Sequence, residues 1–299
     1  MAATTLTQKW VAGHLPEREP RGHKGTFGRV LVVAGSLEFA GAALLTGLGA
    51  ARAGAGLVCL ATPESVGLRL MGRVPELTAL LLPEEAVGLV APTGWRQLTA
   101  AAREYDAAVI GPGLGRHAAT LRRVATLLSE LQSPVVVDAD GLTALAGRDR
   151  WWRSLTSAVL TPHPGEFARL TKGAEVPAGD DDAGREAAAS QAARLWEHVV
   201  VLKGANTVVA APDGTVLRSA VATPALATAG SGDVLAGAIG AFLAAGLAPL
   251  DAAGVGVAVH AAAGLLAEQR IGTAGVLASD IAGLLPEAIA VLRSGAAPS

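Results

Sequence analysis

The feature that most constrains this chain is an alternation of short, unbroken apolar runs with helix-length stretches. Residues 29–34, 57–61, 77–82, 107–110, 134–137, 158–160 and 199–202 are the runs, and residues 41–53 and 121–131 read as helices between them. A strand that is apolar on every residue has no wet face. Such strands belong in a mainly parallel sheet covered by helices on both sides. After residue 205 the pattern changes. Residues 207–211, the turn Pro212-Asp213-Gly214 and residues 215–218 read as a hairpin at a sheet edge. The expectation is an α/β fold, one domain over residues 1–299, with residues 1–20 as an N-terminal arm. The polar break at 172–185 reads as a loop entering a helix, with Asp182 as its N-cap.

Composition narrows the function. There are 37 glycines and only 3% aromatic residues among 51% apolar ones, which suits closely packed helices and tight turns at strand ends. Net charge is −2, and no basic run with interleaved aromatics occurs, so nucleic acid is not an expected partner. The apolar stretch 234–247 is short for a membrane span and is followed at once by Pro249 and Asp251, so a buried helix is expected instead. The lone cysteine, Cys59, sits in an apolar run and has no partner for an internal disulfide, as in a reducing compartment such as the cytoplasm. The first ten residues lack the apolar core of a signal peptide.

Nearly every apolar run ends in glycine, proline or one polar side chain. In open parallel sheets, ligands bind beyond the carboxyl ends of the strands. Ordinary strand-to-helix turns account for any one of these endings, but less well for Asp138, His163 and Lys203 all falling there. The strongest local motif is Gly230-Ser231-Gly232-Asp233 running into an apolar helix. Free amides and the dipole at such a helix start suit a phosphate, and Asp233 would stand beside it as a base for a substrate hydroxyl. A plain helix cap explains Asp233 as well. The absence of Gly-Lys-Ser/Thr excludes a standard P-loop.

Other candidates are weaker singly. Gly111-Pro112-Gly113-Leu114-Gly115 has Arg116 where a dinucleotide fingerprint needs glycine, and reads as a backbone wall or a tight turn. His163 between two prolines is held in a fixed pose, or is an exposed turn histidine. With Glu166 it has no further ligands at metal-site spacing. Lys203-Gly204-Ala205-Asn206-Thr207 can neutralise and hydrogen-bond a phosphate, or carry a solvated lysine. The basic segment 21–28 is an arm that reaches a pyrophosphate, or simply a solvated one.

The ordered set is more specific than its members. His23-Lys24-Gly25-Thr26-Phe27-Gly28, Gly35-Ser36, Gly41-Ala42-Ala43, Gly111-Pro112-Gly113, Asp138-Ala139-Asp140, His163-Pro164-Gly165-Glu166, Lys203-Gly204-Ala205-Asn206-Thr207 and Gly230-Ser231-Gly232-Asp233 follow in that sequence. Together they resemble the ADP/ATP-dependent NAD(P)H-hydrate dehydratase family over residues 21–293, on a ribokinase-like fold. The lysine-glycine and Gly-Ser-Gly-Asp motifs occur in wider ribokinase-like kinases, whereas His-Pro-Gly-Glu and the N-terminal Lys-Gly-x-Phe-Gly narrow the match. The resemblance implies a lyase that repairs the S-epimer of hydrated NADH and NADPH by phosphorylating the ring hydroxyl and eliminating phosphate. It makes Asp233 the base, and assigns Ala42, Gly113, His163 and Asp233 to the hydrated dinucleotide. Lys203, Gly204, Ala205, Asn206, Thr207, Gly230, Ser231 and Gly232 fall to the nucleotide. It further implies ADP, or else ATP, as phosphoryl donor, Mg2+ bridging its phosphates without a dedicated protein site, and a cytoplasmic homotetramer. Ser231 stands where threonine is frequent. With few residues ahead of the match, no epimerase activity is expected. The nearest alternative is a small-molecule kinase of the hydroxyethylthiazole or sugar kinase type. A nucleotide sensor on an old kinase fold is a third reading, against which the retained Asp233 speaks.

Overall fold

The computed structural model describes residues 3–174 and 176–295. Ten strands form one sheet in the order β1-β12-β11-β10-β9-β8-β7-β2-β3-β4. The parallel run comprises β2 (Arg29–Val33), β3 (Leu57–Pro63), β4 (Thr78–Leu82), β7 (Ala107–Ile110), β8 (Val135–Val137), β9 (Ala158–Leu160) and β10 (Val199–Leu202). The expected hairpin is β11 (Val208–Ala210) and β12 (Val216–Arg218), antiparallel to each other and to β10. A two-residue strand, β1 (Thr4–Thr5), lies outside it and pairs with β12 in parallel. A separate small ribbon joins β5 (Glu84–Ala86) to β6 (Leu89–Val90).

Strand β2 is flanked by β3 on one side and by β7 on the other, so the winding direction reverses there. A crevice opens at such a switch point beyond the carboxyl ends. The residues at these ends are Gly35-Ser36 after β2 and Gly111-Pro112-Gly113 after β7.

Eleven helices cover the sheet among the described residues. On one face lie α1 (Gln8–His14), α2 (Ala40–Ala53), α3 (Glu64–Leu70), α9 (Ser231–Ala244), α10 (Pro249–Ile271) and α11 (Ala278–Ser294), packed on Val30 and Val32. On the other lie α4 (Pro92–Ala102), α5 (Ala118–Glu130), α6 (Asp140–Leu145), α7 (Pro164–Leu170) and α8 (Asp182–Trp196), packed on Leu31 and Val33. Successive β2 side chains thus enter opposite cores, which is why the strand reads as continuously apolar.

Four sequence expectations change. The segment expected to be an arm carries β1 and α1, and Val11 is fully buried in the core. The N-cap of α8 is Asp181, whose carboxylate accepts from the Gly184 amide. Asp182 is the first helical residue and is free to reach sideways. The third strand begins at Thr78 rather than Leu77. The basic segment 21–28 lies at the amino end of β2, where Gly28 abuts the last residue of α9, Ala244. That is about 16 Å along the helix from Asp233 at the usual rise per residue, so within one chain this segment does not meet the phosphate turn. Helix α10 is long and apolar enough to cross a membrane, yet 78% of its apolar window is buried inside this fold, as a core helix.

Candidate functional site

The carboxyl ends of β2, β7, β8, β9 and β10 converge on one crevice, closed on one side by the start of α9. Two positions are glycine because another backbone passes too close. A Cβ on Gly111 would run into the Asp138 carbonyl, and its φ of +131° is itself unfavourable for other residues. A Cβ on Gly113 would lie 2.7 Å from Ala42 Cβ and 2.8 Å from Phe39 Cβ. Gly113 and Ala42, both expected at the dinucleotide, therefore touch. Beside them Ser36 Oγ is buried without a hydrogen-bond partner. The β7 loop is tied to β8 through Asp140, which accepts from the Gly115 amide at 2.9 Å and faces Arg116 at 3.6 Å.

The floor is an ion cluster centred on Lys203. Its Nζ donates to Asp138 Oδ1 at 2.6 Å and lies 3.9 Å from Glu166 Oε2. Asp138 is 1% exposed and Glu166 6% exposed. Burial alone would push the Lys203 pKa down, but Asp138 and Glu166 outweigh it and hold the ammonium firmly charged. Glu166 is pushed up by burial and by Asp138, against the pull of Lys203. It also accepts from the His163 amide at 2.9 Å, as the second half of a capping box on α7. His163 Nδ1 accepts from the Gly165 amide at 3.0 Å, which leaves the proton on Nε2, 3.4 Å from Glu166 Oε1. The imidazole is half exposed.

Asp233 stands over this cluster in the first turn of α9. Burial, then Asp138, raises its carboxyl pKa to about 7; Lys203 opposes them, and Asp140 and Glu166 add to the rise. An ordinary carboxylate is a poor proton acceptor at neutral pH; one near 7 is matched to that task. The amides of Gly232 and Asp233 bond nothing within the described residues, as the first amides of a helix have no intrahelical partner, and so are open to a ligand. A Cβ on Gly232 would lie 3.5 Å from Lys203 Nζ, so the ammonium and the free amides face the same space.

The Ser231 hydroxyl meets a histidine. It lies 3.1 Å from His260 Nε2, and the Ser231 carbonyl lies 3.0 Å from the same nitrogen. His260 is buried midway along apolar α10, and burial lowers its pKa to about 4. It is neutral, with its proton on Nε2, and it anchors the turn from beneath. A histidine inside the apolar run of α10 was the sequence signal for this anchor, overlooked because no motif surrounds it.

The turn expected at the nucleotide follows β10. Thr207 Oγ1 donates to the Gly204 carbonyl at 2.9 Å and closes the turn on itself. Asn206 Nδ2 donates to Asp182 Oδ1 at 3.0 Å, and Asp182 in turn binds Arg218. Ala205 is the exposed tip. The residues expected at the site lie along the carboxyl edge of the sheet: Gly113 touches Ala42, Gly230 packs against Leu45 one turn further along α2, Gly232 faces Lys203, and His163 sits with Glu166 beside that lysine. Sequence reasoning missed the ion pair of Lys203 with Asp138, the burial of Glu166, and His260. The first two required knowing which strands are neighbours.

The described residues contain no group of three or more acidic, histidine or cysteine side chains set to hold a metal by themselves. The acidic groups around Asp233 nevertheless suit a magnesium ion that arrives on nucleotide phosphates. Mg2+ is commonly held by one or two carboxylates, several waters and the substrate's own phosphates.

Known proteins resemble this chain in sequence and in fold. The family model for NAD(P)H-hydrate dehydratase matches residues 30–287. The bifunctional NAD(P)H-hydrate repair enzyme Nnr of Moorella thermoacetica is 43% identical over 285 residues, covering 94% of this chain and 53% of that one. This chain spans about half the length of such bifunctional relatives. The ADP-dependent (S)-NAD(P)H-hydrate dehydratase of Xanthomonas campestris is 42% identical, with 89% of each chain covered. The crystal structure of the ADP/ATP-dependent NAD(P)H-hydrate dehydratase of Bacillus subtilis, co-crystallised with ATP and Mg2+, superposes with a TM-score of 0.82 at 34% identity over 98% of this chain and 99% of that one. The fold is the ribokinase-like one expected. By sequence and by structure, the chain belongs to the NAD(P)H-hydrate dehydratase family.

Proposed function

We propose that this chain is a lyase that dehydrates the S-epimer of hydrated NADH and NADPH, driven by ADP or ATP. The observation that carries the reading is Asp233, a carboxylate with its pKa raised to about 7, set beside free helix-start amides and the Lys203 ammonium. Hydroxide leaves a carbon poorly and phosphate leaves well. Asp233 takes the proton of the ring hydroxyl while its oxygen attacks the terminal phosphorus of the donor. The bond to the departing nucleotide breaks, giving AMP from ADP or ADP from ATP. In the second step the carbon–oxygen bond breaks, the neighbouring carbon loses a proton, and the double bond and free phosphate form. Charge on the transferring group falls to the Gly232 and Asp233 amides and to Lys203, since such transfers depend mainly on positioning and charge stabilisation. Bound magnesium would neutralise the donor phosphates, and the carboxylates around Asp233 would help to hold it.

In this reading Ala42, Gly113 and His163 hold the hydrated ring, and the turns 203–207 and 230–232 hold the nucleotide. Ser231 Oγ accepts from His260 Nε2, which fixes the turn and leaves the serine O–H to donate to the nucleotide. ADP is the preferred donor, and both hydrates serve, no motif here reading the ribose 2′ position. Residues 1–299 act as one catalytic unit. A cytoplasmic location accords with the buried free Cys59, and a homotetramer accords with the resemblance.

The test is recovery of dihydronicotinamide absorbance from hydrated NADH with Mg2+ and either ADP or ATP. A nucleotide-dependent rise is expected, faster with ADP. A flat trace with both donors, from folded protein, rejects the dehydratase. Phosphate retained on a substrate rather than released would instead favour the small-molecule kinase.

A further inference from the structure

We propose that Arg185 is a positioning residue of the nucleotide turn. By gripping two carbonyls from behind, it turns the Gly204 amide toward the ligand. The proposal rests on the reading that residues 203–207 hold the nucleotide.

Arg185 lies in the first turn of α8 and is 1% exposed. Its Nη2 donates to the Leu202 carbonyl at 3.2 Å and to the Lys203 carbonyl at 3.1 Å. Among the described residues its Nε has no hydrogen-bond partner, and no carboxylate lies within ion-pair distance. Burial pushes the guanidinium pKa down, against Asp182, but arginine remains charged. A buried cation satisfied only by carbonyls is a costly arrangement, and stability alone does not select it.

The geometry shows what it achieves. In a trans peptide the carbonyl and the following N–H point in opposite directions. With the Leu202 carbonyl held on Arg185, the Lys203 N–H points the other way and meets the Pro162 carbonyl at 2.9 Å. With the Lys203 carbonyl held likewise, the Gly204 N–H also turns away from α8. Its one partner among the described residues is Thr207 Oγ1 at 3.4 Å, a long contact that a phosphate oxygen can replace. The same clamp explains why residue 204 is glycine although its φ is ordinary. A Cβ there would strike the Arg185 guanidinium. The far end of the turn is held from the same helix turn, where Asp182 accepts from Asn206. Helix α8 thus grips the turn at two points and places a positive charge behind it.

The experiment compares wild type with Arg185→Met and Arg185→Lys, measuring ADP binding with Mg2+, NADH binding, and steady-state kinetics. In Arg185→Met, ADP affinity falls about ten- to a hundredfold, the scale of bonds from a charged donor. KM for ADP rises in step, NADH affinity is unchanged, and Arg185→Lys recovers part of the loss. A purely structural anchor would lower the melting temperature without separating the two ligands. Folded Arg185→Met with wild-type ADP affinity overturns the proposal. If that variant fails to fold, Gly204→Ala displaces the guanidinium from the other side. The same selective loss of ADP affinity is expected there, and unchanged affinity overturns the proposal. Wild-type protein that binds neither ADP nor ATP overturns the function reading itself, and this proposal with it.

Discussion

The two faces of the sheet are built on different principles. The face under α2 and α9 packs backbone against backbone. A Cβ on Gly237 would collide with the Thr46 carbonyl and one on Gly49 with the Val234 carbonyl, whereas on α10 one on Gly264 would meet only the Leu226 side chain. The other face is filled by large side chains, with Trp95, Trp151, Phe167 and Trp196 buried among leucines and valines. Trp196 makes tilted ring contacts with Trp151 and Phe167 at 5.2 and 5.7 Å. Backbone contact leaves no rotamers to adjust, so α9 and the base at its start are held stiffly. Side-chain packing can relax around a change. The crevice lies where the two faces meet: the first supplies Asp233 and the amides, the second supplies His163, Glu166 and Arg185.

The largest expected effect falls on that junction. Asp233→Asn should keep nucleotide binding but lower turnover about a thousandfold, as for loss of a positioned base. Near-normal turnover would remove Asp233 from the chemistry. The variant should not melt earlier than wild type at pH 8. A carboxyl whose pKa is raised from 3.8 to about 7 by burial binds its proton more tightly folded than unfolded. Its contribution to stability therefore falls as pH rises from about 4 to about 7. A melting temperature well below wild type at pH 8 would mean that the charged form is stabilising after all.

Next comes the contrast between the faces. Gly237→Ala should destabilise by about 3 kcal/mol, since the added methyl meets backbone on α2 that cannot move aside. Trp196→Phe should cost about 1 to 2 kcal/mol, because its neighbours are side chains that can shift. Denaturant melts decide the matter, and equal losses would erase the distinction between the faces.

The smallest effect is one of pH. Wild-type kcat/KM should fall on the acid side with a midpoint near the raised Asp233 value of about 7. Asp138→Asn should move that midpoint lower, because it removes a neighbouring negative charge and frees Lys203 to pair with Asp233. A midpoint unmoved or shifted upward would contradict the described cluster.

Much of this was readable from local pattern. Unbroken apolar strands named a covered parallel sheet, and Gly-Ser-Gly-Asp before an apolar run named the start of a buried helix. Both are properties of a few consecutive residues, set by strand pleat and helix-start amides. The arm that proved to be β1 and α1 was misread because its burial depends on α10 and α11, far along the chain. The N-cap of α8 was misplaced by one residue because two adjacent aspartates suit the role equally, and only the pull of Asn206 and Arg218 on Asp182 separates them.

The sequence by itself determined the order of elements, the strand-end turns and the presence of a carboxylate at a helix start, because short-range sterics and hydrogen bonding act between near neighbours. Tertiary structure alone decided that Lys203 faces Asp138, 65 residues away, that His260 holds Ser231, and that Arg185 lies behind Gly204. Electrostatic fields and buried hydrogen bonds act through space rather than along the chain. They come into being only when the sheet order sets those strand ends side by side.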